Sequence, residues 1–208
     1  MAERIGLFGG TFNPPHLGHV QSVEYARREL GLSRILVVPA GIPPHKALPF
    51  DTAPPEDRLT MTKLAFSGLD FCDVSDMELT RGGTSYTVDT LWELHERDSD
   101  AVITLLVGGD MFLSLHTWFK PEELFALASI GVFSRKASEQ AEIKAHAGFL
   151  MERFGATVHI IDAPVLEISS TELRLRVRSG GSVEGLLPES VKEYILHKGL
   201  YRSEQYDS

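Results

Sequence analysis

Six short apolar runs recur along the chain, at residues 4–8, 34–38, 71–77, 102–107, 130–134 and 157–161, and amphipathic stretches of helix length separate them. The helical patterns fall at 17–30, 55–67, 87–97, 111–118, 138–154, 171–178 and 188–197. Such alternation builds repeated β-α units, so it predicts an α/β open parallel sheet with helices on both faces. Gly31 and Gly155 stand where the first and the longest helix should stop, and Ser138 with Glu142 nearby suits the start of the longest. A length of 208 residues suits one domain with a sizeable core. The expectation is a single domain over 1–208, including a C-terminal helical segment from about residue 170.

Charge narrows the function classes. The formal net charge of −9 argues against a nonspecific nucleic-acid or membrane-surface protein, since binding a polyanion needs a broad excess of Lys and Arg. An anionic ligand must therefore meet a local positive site. Cys72 is the single cysteine, which excludes an intrachain disulfide and a Cys-rich zinc site and fits a reducing compartment, with Cys72 filling core space. Residues 1–4 run straight into an apolar stretch without a signal-type segment, and no run approaches membrane-spanning length, so a cytoplasmic protein is expected. A homo-oligomer stays compatible with the sequence.

Ligands of an open parallel sheet bind outside the carboxyl ends of the strands. Four polar or Gly-rich segments follow predicted strands, at 9–19, 39–46, 108–110 and 134–136, and should gather on one rim. Six prolines in residues 39–55 make that stretch a loop, and so long a loop in a compact domain points to function.

The densest signal is Gly9-Gly10-Thr11-Phe12-Asn13-Pro14-Pro15-His16-Leu17-Gly18-His19, between the first strand and the first helix. Its glycines allow a phosphate to approach the backbone, and its prolines stiffen the turn. His16 and His19 then sit at a helix N-terminus, where N–H groups and the helix dipole favour anions. Two His at this spacing share a helix face and also suit a metal, but no third ligand is nearby. A dinucleotide fingerprint, a P-loop, a Gly-x-Ser-x-Gly elbow and a His-Glu-x-x-His pair are all missing, which disfavours dehydrogenases, P-loop NTPases and common hydrolases.

The stretch from Thr11 to His19 resembles the T/H-x-G-H signature of the nucleotidylyltransferase superfamily. Further segments look like its nicotinate-nucleotide adenylyltransferase branch: Pro43-Pro44-His45-Lys46, Ser85-Tyr86-Thr87-Val88-Asp89-Thr90-Leu91, Gly108-Gly109-Asp110 with Trp118 downstream, and Ile168-Ser169-Ser170-Thr171 leading to Arg174. The resemblance runs from about residue 4 to 201 in the family's order. It implies a Rossmann-like sheet of nucleotidylyltransferase type and transfer of the adenylyl group of ATP to nicotinate mononucleotide, giving deamido-NAD and pyrophosphate. Nicotinamide mononucleotide and phosphopantetheine are the rival acceptors, and a catalytically silent nucleotide-binding module is the non-enzymatic rival.

The resemblance also distributes roles. His16 and His19 become catalytic. Gly9, Gly10, Thr11, Ser170, Thr171 and Arg174 join them at ATP, with Arg174 open to phosphate at the start of a short helix. Lys46, Thr87, Gly108, Asp110, Trp118, Phe119 and Arg135 fall to nicotinate mononucleotide. Four of these have a plainer alternative: a solvated Lys46, an Asp110 that caps a helix, a Trp118 in the core, a surface ion pair for Arg135. Some relatives place Tyr where Phe119 stands, and a backbone role for that position makes the change harmless. An acceptor phosphate is already a nucleophile, so no general base is required. Mg2+ would arrive on the ATP phosphates, keeping most of its waters, without a carboxylate cage of its own. The residue 9–19 loop is expected to be exposed.

Overall fold

The computed structural model describes residues 2–44, 48–134, 137–162, 166 and 168–202. Its strands are β1 (Arg4–Gly10), β2 (Arg34–Pro39), β3 (Cys72–Val74), β4 (Val102–Gly108), β5 (Ser129–Ser134) and β6 (Val158–Asp162). They form one sheet in the order β3-β2-β1-β4-β5-β6, and every pairing is parallel. The helices are α1 (Leu17–Leu30), α2 (Pro55–Phe66), α3 (Met77–Arg81), α4 (Thr87–Arg97), α5 (Gly109–Ser114), α6 (Pro121–Leu127), α7 (Ala137–Phe154), α8 (Ser170–Arg178) and α9 (Glu189–Lys198), with a 3-10 turn at Leu115–Thr117.

Strand alternation divides the interior into two cores. Phe8, Ile35, Val37, Leu106, Phe133 and Ile161 point to one face and pack with α1, α2, α8 and α9. Their neighbours Leu7, Leu36, Val38, Leu105, Val107 and Val132 point to the other, under α3 to α7. Helices therefore cover both faces, as the alternation predicts. The first core is tight over β1 and β5. A Cβ on Gly6 would lie 2.9 Å from Leu32 Cδ1, and one on Gly131 would lie 2.8 Å from Leu106 Cδ2. Leu173, Val191, Ile195 and Tyr201 belong to this same core, which ties the C-terminal helices to the sheet. Cys72 packs against it half-buried, and burial pushes its thiol up to about 12, so it stays protonated.

Gly31 and Gly155 do terminate α1 and α7, each with positive φ. Three expectations need correction. The run at 71–77 is strand only over Cys72–Val74, because Ser75 Oγ accepts the Met77 N–H at 3.3 Å and turns the chain into α3. The fourth connection opens as a helix at Gly109 instead of Met111, and Gly108, not Asp110, is its N-cap. Beyond it, α6 forms where no helix was expected, with Pro121 in its first turn followed by Glu122 and Glu123. Among the described residues, no helix is long and apolar enough to cross a membrane.

Candidate active site

Connections leave the sheet on opposite sides of the β1–β4 pair, so the carboxyl ends of these strands form the switch point of the topology. Two cavities open there. The larger, of about 590 Å³, is lined by Gly9, Gly10 and Thr11 at the end of β1, by Ala40 and Pro43 after β2, and by Thr87, Trp118 and Phe119. The smaller, of about 220 Å³, is lined by His16, Gly18, His19, Asp110 and Glu139. Gly9, Gly108, Phe8 and Met111 line both, so the two adjoin across the β1–β4 edge. A Cβ on Gly9 would meet nothing within 4 Å, so packing leaves this crossing point open.

His16 is the N-cap of α1 in an extended conformation, and its backbone N–H donates to Nδ1 of His19 at 3.2 Å. That bond fixes the tautomer of a neutral His19: Nδ1 accepts, so the hydrogen sits on Nε2. The two imidazoles stack with centroids 3.6 Å apart, and Phe12 closes on His19 edge-on at 5.1 Å. Gly18 makes the stack possible. A Cβ there would lie 2.7 Å from the Leu166 carbonyl and 3.1 Å from His16 Nδ1.

The loop that carries this pair is buried, contrary to the expectation of exposure: Asn13 is 3% and His16 6% exposed. Its polar backbone is taken up from behind. Arg58 Nη1 donates to Thr11 O at 2.9 Å and to Ala40 O at 2.7 Å, joining the ends of β1 and β2. Arg174 Nη1 donates to Asn13 O at 3.0 Å, and Ser170 Oγ to Pro14 O at 2.9 Å. Asn13 Oδ1 accepts the Ala53 N–H and the Tyr201 hydroxyl. Asp51 bridges Arg174 and Arg178; burial alone would raise its pKa, but the two guanidiniums hold it below the usual carboxylate range.

The sequence-derived residues thus separate into groups. Gly9, Gly10, Thr11, Thr87, Gly108, Trp118 and Phe119 line the larger cavity, while His16, His19 and Asp110 line the smaller with Gly9 and Gly108. Ser170, Thr171 and Arg174 line neither. Arg174 is 5% exposed and braces the loop, its guanidinium donating to Asp51 and to Asn13 O, where the sequence leads one to expect it open to phosphate. Thr171 is exposed in the first turn of α8. Lys46 and Arg135 lie outside the described residues. Trp118 is half-buried with Nε1 donating to Ser114 Oγ, so it is at once the edge of the second core and cavity wall. Phe119 meets Tyr86 ring to ring at 4.4 Å.

Comparison with known proteins identifies the family. Residues 7–176 match the cytidylyltransferase-like family. A protein of Desulfitobacterium hafniense (strain Y51) named "Probable nicotinate-nucleotide adenylyltransferase" is 40% identical over 200 residues, 96% of each chain. A relative of the same name from Exiguobacterium sibiricum is 37% identical, over 95% of this chain and 98% of its own. This chain belongs to the nicotinate-nucleotide adenylyltransferase family. Nicotinic acid mononucleotide adenylyltransferase of Plasmodium falciparum, solved in complex with APC, shares the fold with a TM-score of 0.76 at 17% identity, over 96% of this chain and 97% of that one.

Several residues that shape the site of this nicotinate-nucleotide adenylyltransferase family member escape sequence reasoning. Arg58, Asn13 as an acceptor, Asp51 and Tyr201 act through partners distant in the chain. Glu78 lines the larger cavity as a buried carboxylate, and burial raises its pKa against the hydrogen bonds of Thr90 and Ser85. Among the described residues, no group of three or more His, Cys, Asp or Glu is placed to hold a metal ion.

Proposed function

We propose that the chain transfers the adenylyl group of ATP to nicotinate mononucleotide, releasing pyrophosphate and giving deamido-NAD for NAD biosynthesis. The observation that carries this reading is the pair of adjoining cavities at the switch point, one opened by the stacked His16–His19 pair and the other walled by Trp118. On this reading, phosphates and pyridine ring have separate places, in two cavities that adjoin at Gly9 and Gly108.

An oxygen of the acceptor's phosphate attacks the α-phosphorus of ATP. The new P–O bond forms as the bond to the bridging α,β-oxygen breaks, and the electron pair leaves with pyrophosphate. No proton has to be removed from the nucleophile, so catalysis rests on alignment and on donors aimed at the developing charge. His19 Nε2–H and His16 supply such donors, with the N-terminus of α1 behind them. Gly9, Gly10 and Thr11 give ATP close backbone approach, and Thr171 offers it a hydroxyl from α8. Ser170 and Arg174 serve ATP by holding the loop, with Arg174 adding positive charge close to the phosphates. Mg2+ bound through phosphate oxygens would neutralise charge during transfer, and donors such as imidazole and backbone N–H fit those oxygens rather than the ion itself.

On the acceptor side, Trp118 stacks on the pyridine ring and Thr87 donates to its carboxylate, with the backbone N–H of Phe119 as a second donor. Asp110 accepts from ribose hydroxyls, and Lys46 and Arg135 meet the acceptor's phosphate. The whole chain works as one nucleotidylyltransferase domain in the cytoplasm. Pyrophosphate release with ATP and each of nicotinate mononucleotide, nicotinamide mononucleotide and phosphopantetheine tests the reading. The acid is expected to exceed its amide in kcat/KM by roughly 10- to 100-fold, because the amide turns donors toward donors at a cost of about 1–3 kcal/mol each. Equal rates with acid and amide, or activity confined to phosphopantetheine, would remove it.

A further inference from the structure

A buried carboxylate sits in the wall of the larger cavity, and the adenylyl transfer described above makes no use of it. Glu78 is the second residue of α3 and is 8% exposed. Thr90 Oγ1 donates to Glu78 Oε1 at 2.8 Å, and the Ser85 hydroxyl also bonds to the carboxylate. A hydroxyl owns one hydrogen, so each must turn its lone pairs elsewhere. Thr90 Oγ1 accepts from Arg81 Nη2 at 2.9 Å, and Ser85 Oγ accepts the Gly41 N–H at 2.9 Å.

Because only an acceptor at Glu78 leaves both hydroxyls in this sense, the carboxylate dictates the direction of the whole chain of bonds. Its result is a clamp between two stretches of cavity wall. Gly41 N–H reaches Ser85 Oγ, and Ser85 N–H returns to Ile42 O at 2.8 Å. Approach is so close that a Cβ on Gly41 would lie 3.1 Å from Ser85 Oγ and 3.2 Å from Glu78 O. Tyr86, the N-cap of α4, and Thr87, its first residue, follow Ser85 directly. Thr90 lies one turn further along the same helix. Both hydroxyls that Glu78 orients therefore belong to the segment presenting Thr87 to the cavity.

We propose that Glu78 is a positioning residue of the acceptor subsite: through Ser85 and Thr90 it locks the first turn of α4 against the Gly41 segment and so preforms the place of the acceptor's pyridine carboxylate. This rests on the reading that the larger cavity takes nicotinate mononucleotide. A Gln fills the same space, yet its amide nitrogen donates, so a hydroxyl that faces that nitrogen loses its acceptor.

The test is steady-state kinetics of Glu78→Gln with each substrate varied in turn. KM for nicotinate mononucleotide should rise about tenfold while KM for ATP stays within about twofold and kcat within about threefold, the pattern of a lost ground-state contact on one substrate. Calorimetric titration with nicotinate mononucleotide alone should show the same weakening. Ser85→Ala removes the middle link and keeps the carboxylate; it should give the same split, and it carries the test if Glu78→Gln does not fold. An equal rise in both KM values, or no change in either, overturns the proposal. So does a fall in KM for nicotinate mononucleotide, which would mean that relief of like-charge repulsion outweighs positioning. If the wild-type chain makes no deamido-NAD from nicotinate mononucleotide, the parent reading fails and this one with it. A wild type active on that acceptor beside an unchanged Glu78→Gln sinks this proposal alone.

Discussion

The two cavities share Gly9 and Gly108 but are built in opposite ways. Around the smaller, the loop bearing His16 and His19 is buried, and the Thr11, Asn13 and Pro14 carbonyls are each taken by a side chain of α2 or α8. Around the larger, part of the wall is made of aromatic rings that stay partly exposed. Phe119 is 45% exposed, Tyr86 is half-buried against it, and the following Lys120 sits at φ 52. On the proposed function, the difference follows from what each side has to do. Donors that stabilise charge at phosphorus act best when they need no reorganisation, whereas a flat ring is recognised by shape and stacking, which tolerates adjustment.

That contrast breaks most visibly at the histidines. His16→Ala and His19→Ala should each lower turnover by roughly 10²- to 10⁴-fold, the range for losing one preorganised donor. Because His16 is buried and caps α1, its replacement should also lower Tm by a few degrees, which circular dichroism of the same preparation measures. Near-normal turnover in either folded variant would remove the pair from the chemistry. On the other side, Trp118→Leu keeps apolar bulk and loses the stacking face. KM for nicotinate mononucleotide should rise roughly three- to tenfold and KM for ATP should not move. A matching rise for ATP would show that Trp118 supports both cavities as plain core.

The motif-bearing side chains were legible because their chemistry is local: Gly9, His16, Gly18 and His19 follow one strand and open one helix, and strand–helix alternation alone puts that junction on the ligand rim. The braces were not. Arg58 reaches Thr11 across 47 residues, and Tyr201 reaches Asn13 across 188. No window along the sequence contains both partners, and periodicity reports only that Arg58 and Arg174 lie on helices. Arg174 shows the limit well: the motif led to the right helix and to a guanidinium turned toward phosphate, but not to Asp51 and Asn13, which hold it in the structure. Glu78 was hidden for another reason. The run at 71–77 reads as a continuing strand, which obscures the short helix that turns this carboxylate into the cavity.

Arg174→Lys sharpens the comparison on the braced side. Lys presents one point of charge where the guanidinium serves Asp51 and Asn13 O together. Losing one such bond costs about 1–2 kcal/mol, a fall in Tm of roughly 3–6 °C for a chain of this size. KM for ATP should rise a few-fold, more than that for nicotinate mononucleotide. An unchanged Tm would mean that the brace does not hold the loop, and equal KM effects would detach Arg174 from the ATP side.

The smallest effect separates the two regions by pH, because each rests on a carboxylate shifted in the opposite direction. Asp51, on the braced side, is held below its ordinary 3.8 by Arg174 and Arg178 despite its burial. A depressed folded pKa contributes stability that is complete above the unfolded value and is lost as pH falls through the folded one. The Tm advantage of wild type over Asp51→Asn should therefore stay flat through neutral pH and close only on acidification below about pH 4. Glu78, on the side of the larger cavity, is raised above 4.5 by burial, with Thr90 and Ser85 opposing. Here the folded state binds the proton more tightly than the unfolded chain does. Stability from that source is full below 4.5 and declines as pH rises through the folded value. Wild type should accordingly lose ground to Glu78→Gln as pH climbs from 4.5, in a window where the Asp51→Asn difference does not move. Thermal melts of the three proteins across a pH series check both signs at once. If both differences change in the same pH range, or if the Glu78 difference widens in favour of wild type as pH rises, the two halves of the site do not rest on oppositely shifted carboxylates.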